Sequence, residues 1–265
     1  KLYCGVKTAD KLLAEAVRPL VDELLDLGLI NGFFFIRYAD PDLHIRVRFH
    51  ISNPDNLGAM INRVYTYLHA YVEQGIITKM QTDTYRRELE RYGFNSIDIA
   101  EAIFHIDSLA TLQLVDSITG DEGEQIRWQF ALRSVDEFLN SFKLSTDEKL
   151  KLLQQLKNGF IKEHSESKVF KVQLDTKFRN VRQQVTDILN RDQDATREIV
   201  PLIHLLEWKA AQLQPLADQV LALQSNNQLQ VPLNDLLASY LHMMINRIFK
   251  ARQRTFEMLM YDLLY

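Results

Sequence analysis

A single cysteine, Cys4, among 265 residues excludes an intrachain disulfide framework and any cysteine-rich zinc site. A reducing, cytoplasmic setting is the expectation that follows. Nowhere do eighteen consecutive apolar residues occur, and the opening Lys1-Leu2-Tyr3-Cys4-Gly5 reads as a strand rather than a signal peptide. No membrane anchor is therefore expected. An excess of basic residues is also missing: the formal net charge is -4 and the pI near 6.0, which argues against broad contact with nucleic acid or anionic lipid. The sequence has no Gly-rich phosphate loop, no dinucleotide fingerprint and no His-Glu-x-x-His zinc motif. His204 and Glu207 stand three apart, too few ligands for a metal ion. A site free of metal and cofactor is expected. Internal repeats and low-complexity tracts are lacking as well.

Apolar material is plentiful. A hydrophobic fraction of 46%, with ten Tyr and fourteen Phe, supplies a large core, and the length lies near the upper limit for one. Two closely packed subdomains, 1–94 and 95–265, are expected. The chain opens in an apolar strand and closes on Tyr261-Asp262-Leu263-Leu264-Tyr265 in mid-helix pattern, so a few residues are expected to be missing at each end.

Strand and helix signals alternate over the first part. Leu2–Val6 reads as a strand, and Thr8 as the cap of a helix carrying Leu12, Leu13, Ala16, Val17, Leu20, Leu24 and Leu27, stopped by Gly28. Phe33–Ala39 and Leu43–Ile51, joined by Asp40-Pro41-Asp42, read as a hairpin. A second helix runs from Asn53-Pro54-Asp55 through Val72, and Ile76–Tyr85 reads as a fourth strand. The order βαββαβ predicts a ferredoxin-like split βαβ unit in an α+β chain, with the fourth strand beside the first. From Asn95 onward only helical periodicity remains, over 95–118, 122–142, 146–163, 168–190, 195–225 and 234–265. Gly120, the Ser145-Thr146-Asp147-Glu148 capping box, and Pro232 with Asn234 punctuate a helical bundle.

Three clusters carry chemical interest. In His44-Ile45-Arg46-Val47-Arg48-Phe49-His50, strand alternation sends Ile45, Val47 and Phe49 to one face and His44, Arg46, Arg48 and His50 to the other. Residues two apart on a strand lie roughly 7 Å from each other, so the two guanidiniums repel unless an anion or carboxylate sits between them. A solvated polar face is the commoner outcome, but such faces mix charge signs and this one does not, which favours an anion site. The second cluster, Tyr85-Arg86-Arg87-Glu88-Leu89-Glu90-Arg91-Tyr92-Gly93, could by itself be a self-paired surface, yet its place at the end of the fourth strand brings it to the same rim. On the last helix, His242 and Asn246 share a face four residues apart; that pattern alone favours a half-buried structural histidine over a catalytic one. The basic stretch Lys168, Lys171, Lys177, Arg179 and Arg182, interleaved with Glu166, Asp175 and Asp187, reads as a solvated helix face, with peptide or RNA contact the lesser alternative.

From Phe35 to Phe49, and again over Asp83–Gly93, Asp121-Glu122 and the helix from His242 to Arg247, the chain strongly resembles the C-terminal domain of lantibiotic dehydratases, also called the thiopeptide-type bacteriocin biosynthesis domain. The Asp-Pro turn with His-x-Arg-x-Arg and the Glu-x-x-Arg-Tyr-Gly segment carry most of that likeness. The chain departs from it at Phe94, where many relatives carry a second glycine. The resemblance implies a helical unit with a small sheet that eliminates glutamate from a glutamylated Ser or Thr of a ribosomally made precursor peptide, leaving dehydroalanine or dehydrobutyrine. It implies a separate or fused glutamyl-tRNA-dependent domain as the source of the ester, without direct nucleic-acid contact by this chain; a homodimer is compatible. Carried over by motif, the catalytic positions are Arg46, Arg48, Arg91 and His242, and Arg87, Glu88 and His44 join them as substrate-binding candidates. The arginines would hold the glutamyl carboxylates and the enolate oxygen, and His242 would transfer a proton as acid or base. Two alternatives stand beside this reading: a pyridine-forming cycloaddition enzyme of thiopeptide pathways, and a non-catalytic peptide-binding partner that adds a strand to the sheet edge or uses a helical groove.

Overall fold

The computed structural model describes residues 1–118, 122–164, 185–186, 188–189 and 200–264. Four strands, β1 (Leu2–Tyr3), β2 (Ile30–Tyr38), β3 (His44–Ile51) and β4 (Lys79–Met80), form one sheet in the order β2-β3-β1-β4, every neighbour antiparallel. The helices are α1 (Val6–Leu12), α2 (Arg18–Asp26), α3 (Leu57–Glu73), α4 (Leu89–Tyr92), α5 (Ile97–Ser117), α6 (Glu122–Ser141), α7 (Thr146–His164), α8 (Val200–Ser225), α9 (Leu233–Ile248) and α10 (Gln253–Leu264). A π-helical turn, Leu13–Val17, joins α1 to α2 just before Pro19, whose missing N–H would interrupt a regular ladder. The protein is α+β with most of its mass in helices. Among the described residues no helix is long and apolar enough to cross a membrane.

Period-two alternation along β2 decides how the layers assemble. Phe33 and Phe35 face a cluster made with Leu12, Leu13, Leu20 and Leu24 and with Ile45 of β3. Phe34 and Ile36 face the other way, into a larger cluster with Tyr92, Phe104 and Tyr240. Each fully buried phenylalanine stabilises the layers by roughly 1.5–3 kcal/mol.

As a terminal strand β2 would present a row of free backbone groups, the usual template for unwanted pairing. Side chains from the helices occupy that edge instead. His105 Nδ1 lies 3.2 Å from Phe33 N and 3.1 Å from Phe33 O, and Phe35 N donates to Ser108 Oγ at 3.2 Å. Arg247 Nε donates to Phe35 O at 2.9 Å, while Asn246 accepts from Arg37 N and donates to Arg37 O, both at 2.9 Å.

Two buried charge clusters tie α9 to the rest. Asp107 pairs with Arg247 at 2.9 Å, and Lys209 Nζ lies 2.6 Å from its other oxygen as an ion pair without hydrogen-bond geometry. Asp10 accepts from Arg37 and Arg127, each at 2.6 Å. The same two arginines donate to the last carbonyls of α9: Arg37 Nε to Arg247 O at 2.9 Å and Arg127 Nη1 to Ile248 O at 2.5 Å.

Several expectations need correction. The fourth strand is only Lys79–Met80, because Gln81-Thr82-Asp83-Thr84 offers no apolar alternation to bury. The first strand ends at Tyr3, since Gly5 already caps α1; Thr8 lies inside the first turn and its hydroxyl donates back to Gly5 O at 2.9 Å. The helix expected over 234–265 is two helices, broken where Phe249 turns extended and Arg252 takes a φ of 52°. His242 is thus on the penultimate helix. The capping box holds as read, Ser145 N and Oγ donating to Glu148 Oε2 at 2.8 and 2.6 Å. Gly120, Asp121 and the basic stretch Lys168–Arg182 lie outside the described residues.

Replacing Asp107 by Ala leaves Lys209 and Arg247 buried without their counter-charge, and should cost about 3–5 kcal/mol in chemical denaturation. A loss below about 1 kcal/mol would contradict this role. Burial would raise the Asp10 carboxyl, but Arg37 and Arg127 outweigh it and hold it below the usual range. Its stabilisation is therefore complete above its unfolded value, about pH 3.9, and is lost as pH falls through the folded one. Asp10→Asn should flatten the fall of the denaturation midpoint between about pH 4 and pH 2 relative to wild type.

Candidate active site

The β3 alternation is realised as the sequence requires. Ile45, Val47 and Phe49 turn toward the Phe33–Phe35 cluster, whereas Arg46 and Arg48 stand opposite Ile36 and Phe34 on the other face. His44 is buried between Tyr3 and Tyr38, with ring centroids 4.6 and 5.4 Å away. Its Nδ1 lies 2.7 Å from Asp42 O and donates to it, which leaves Nε2 free to accept from Arg46 Nε at 2.9 Å. Burial lowers its pKa, and the charge of Arg46 adds to that against the opposing Asp42 bond. His44 is a neutral spacer that orients Arg46.

The two guanidiniums are held by rings. Arg46 lies 3.6 Å over Tyr38; Arg48 lies 4.6 Å over Tyr85 and 5.2 Å over Phe34. Neither forms an ion pair with a carboxylate among the described residues. Burial draws Arg48 below the usual guanidinium value and Arg46 adds to that, while Tyr85 and Glu88 act in the opposite sense. Planar cations stacked on aromatic faces keep their N–H edges available.

The Tyr85–Gly93 segment divides. Arg87 turns to the start of α5, pairing with Asp98 and, at 2.9 Å, with Glu101. Its guanidinium is spent on fixing that segment. Glu88 pairs with Arg91 at 3.4 Å. Tyr92 is buried, and Gly93 ends α4 with a φ of 75° and a ψ of 149°, a conformation that disfavours side chains. Phe94, the departure from the familial pattern, is solvent-exposed; its N–H and that of Asn95 donate to Gln230 Oε1 at 2.6 and 3.2 Å, so the turn is anchored through the backbone.

Arg91 and His242 face one cleft of about 470 Å³, walled further by Gln155, Ser239, Arg254, Glu257 and Tyr261. His242 Nδ1 is 2.9 Å from Glu257 Oε2. Continuous helix would separate residues fifteen apart by about 22 Å; the break between α9 and α10 is what brings them together. Glu257 is 4% exposed and also accepts from Arg254 at 2.8 Å and from the Tyr261 hydroxyl at 2.9 Å. Burial would raise its pKa, but His242, Arg254 and Tyr261 together bring it below the usual range. It stays a carboxylate.

Of the residues singled out by sequence, Arg91 and His242 share the cleft, whereas Arg46, Arg48 and His44 lie on β3 and do not line it; Glu88 pairs with Arg91, and its charge also acts on Arg48. Arg87 is directed elsewhere. Glu257, Arg254 and Tyr261 were not singled out. Their signal, Arg-x-x-Glu-x-x-x-Tyr on one helical face, is legible, but its meeting with His242 is not. His204 is almost fully exposed beside Glu207 at 3.4 Å, a surface pair.

The small antiparallel sheet backed by helices is a fold seen in solved structures. The crystal structure of the tRNA dependent lantibiotic dehydratase MibB from Microbispora sp. 107891 superposes on 99% of this chain, with TM-score 0.69 and 19% identity, using 27% of its own chain. That of TsrL matches with TM-score 0.68 and 11% identity over 99% of this chain and 91% of its own. Residues 1–265 match the family of the lantibiotic biosynthesis dehydratase C-term, and the chain belongs to that family. It is 27% identical over 195 residues to the subtilin biosynthesis protein SpaB of Bacillus subtilis, and 30% identical over 109 residues to the nisin biosynthesis protein NisB of Lactococcus lactis subsp. lactis. Those alignments cover 73% and 41% of this chain but only 18% and 10% of the relatives, so the chain spans a small fraction of their length.

A Cβ at position 93 would lie 3.2 Å from Ser96 Oγ in a left-handed backbone. Gly93→Ala should therefore cost about 1–3 kcal/mol by thermal or chemical denaturation; a neutral effect would show that the turn relaxes without displacing Arg91.

Proposed function

We propose that this domain eliminates glutamate from a glutamylated serine or threonine of a ribosomally made precursor peptide, leaving dehydroalanine or dehydrobutyrine. The observation that carries this reading is a carboxylate-bound imidazole beside Arg91 in one cleft, together with two guanidiniums on one face of β3 that form no ion pair with a carboxylate among the described residues. Such an elimination needs a proton-transfer group at Cα, positive charge for the enolate oxygen, and positive charge for the departing carboxylate. His242 supplies the first. Arg46, Arg48 and Arg91 supply the others, and their planar N–H edges suit bidentate contact with carboxylates.

The ester arises in a preceding acyl transfer. The description of MibB as tRNA dependent supports glutamyl-tRNA as its source, in a separate or fused domain. Under this reading the enzyme is a lyase without metal or cofactor that works in the cytoplasm, where charged tRNA is found. Strand addition by a passive peptide-binding partner is disfavoured at β2, whose outer edge is filled by His105, Ser108, Asn246 and Arg247.

A synthetic glutamyl-serine peptide incubated with the protein should yield both free glutamate and an alkene-bearing peptide by mass spectrometry. Arg48→Ala should lower that turnover by about 10²–10³-fold and let glutamylated peptide accumulate. Release of glutamate by the variant at the wild-type rate would rule out the role given to the strand arginines. Joining of two dehydroalanines in a peptide that already carries them, with no glutamate released from the glutamyl-serine peptide, would assign the cycloaddition reaction instead.

A further inference from the structure

The His242 ring has two nitrogens with different surroundings. Nδ1 faces a buried carboxylate, Glu257, at 2.9 Å. Nε2 has no partner among the described residues, and the ring is 27% exposed on the cleft that Arg91 also lines. A carboxylate accepts hydrogen bonds and does not donate them. The neutral imidazole must therefore carry its proton on Nδ1, leaving the lone pair on Nε2.

Glu257 is itself over-determined. Arg254 and Tyr261 take further positions on its two oxygens, so it can neither rotate away nor take up a proton cheaply. The three residues sit on α10, a different helix from His242, with no role in closing the sheet or in the Asp10 and Asp107 clusters.

From this geometry we infer that Glu257 is a positioning residue for the reaction proposed above, holding His242 in the tautomer whose Nε2 acts as the base at Cα. The leaving group agrees with that assignment. A departing glutamate α-carboxylate has a conjugate acid of pKa about 3.5, so at neutral pH it leaves as an anion and a guanidinium suffices to receive it. The unmet demand is removal of the Cα proton. Nε2 takes that proton and the C–H electron pair forms the enolate; as the enolate collapses, that pair forms the Cα=Cβ bond, the Cβ–O bond breaks with its electrons on oxygen, and glutamate departs as its carboxylate. The imidazolium that forms faces Glu257, where its charge is stabilised. The inference rests on the elimination reading.

Two measurements test it. In protein labelled with ¹⁵N-histidine, with the His242 signals assigned by loss in His242→Gln, two-bond ¹⁵N–¹H correlation at a pH where the ring is neutral should show the proton on Nδ1 in wild type. Glu257→Gln, whose amide can donate to Nδ1, should move it to Nε2. In single-turnover and steady-state assays with the glutamyl-serine peptide, Glu257→Gln should lower kcat by about 10²-fold or more with little change in KM, and Glu257→Asp should recover part of the loss. A wild-type ring protonated on Nε2 overturns the inference, and so does a folded Glu257→Gln enzyme with kcat within about threefold of wild type. Should the Gln variant fail to fold, the wild-type spectrum and the Asp variant decide. Failure of the elimination reading is seen separately: wild type then releases no glutamate, whatever its tautomer.

Discussion

The break between α9 and α10 is the constraint on which the site depends. Without it, His242 and Glu257 would lie on one rod with no means of meeting. The break is stabilised by charge. Arg37 and Arg127, pinned by Asp10, donate to the carbonyls of Arg247 and Ile248, the groups that a continuing helix would have turned toward its own next N–H donors. Phe249 then leaves the helical path and stacks on Phe256 with centroids 4.0 Å apart. Because Asp10 lies on α1 and Arg37 on β2, the sheet layer fixes where the helix ends.

The same region connects Arg48 of the sheet to the helix that carries His242. Arg247 reaches from α9 to β2 and Asp107, and it sits 4.7 Å over Phe104, whose ring packs against Phe34. Phe34 in turn supports Arg48. A short series of rings and guanidiniums therefore runs from Arg48 to Arg247 on α9.

Much of this was legible in the sequence. Strict alternation in His44–His50 identified which arginines share a face, because the period of a strand is fixed and one face had to be apolar. The capping box at Ser145 and the helical run after Asn95 were readable for the same local reason. Misreadings arose where tertiary contacts overrule local pattern. The apolar periodicity of residues 234–265 continues straight through the break, since Leu241, Ile245, Met258 and Tyr261 all bury a side chain whether or not the helix is continuous. Only Arg37 and Arg127, more than a hundred residues away, decide that it stops. Glu257 was hidden for that reason. Arg87 and Arg91 look equivalent in sequence, yet Asp98 and Glu101 on α5 claim the first and leave the second at the cleft.

How the strand cations are held bears on catalysis as well as binding. A guanidinium paired with a protein carboxylate must break that pair before it can receive an anion, and part of the interaction is lost in the exchange. Arg46 and Arg48 rest on Tyr38, Tyr85 and Phe34 instead, so their orientation is set without an ion pair to a carboxylate among the described residues. An anion arriving there meets donors already in place and little reorganisation is needed, the condition under which electrostatic stabilisation contributes most. The protein is acidic overall, with a formal net charge of -4, yet on this face Arg46 and Arg48 form no ion pair with a carboxylate among the described residues. That arrangement is stable because aromatic faces attract cations without neutralising them, and under the proposed elimination it suits a ligand that brings carboxylates of its own.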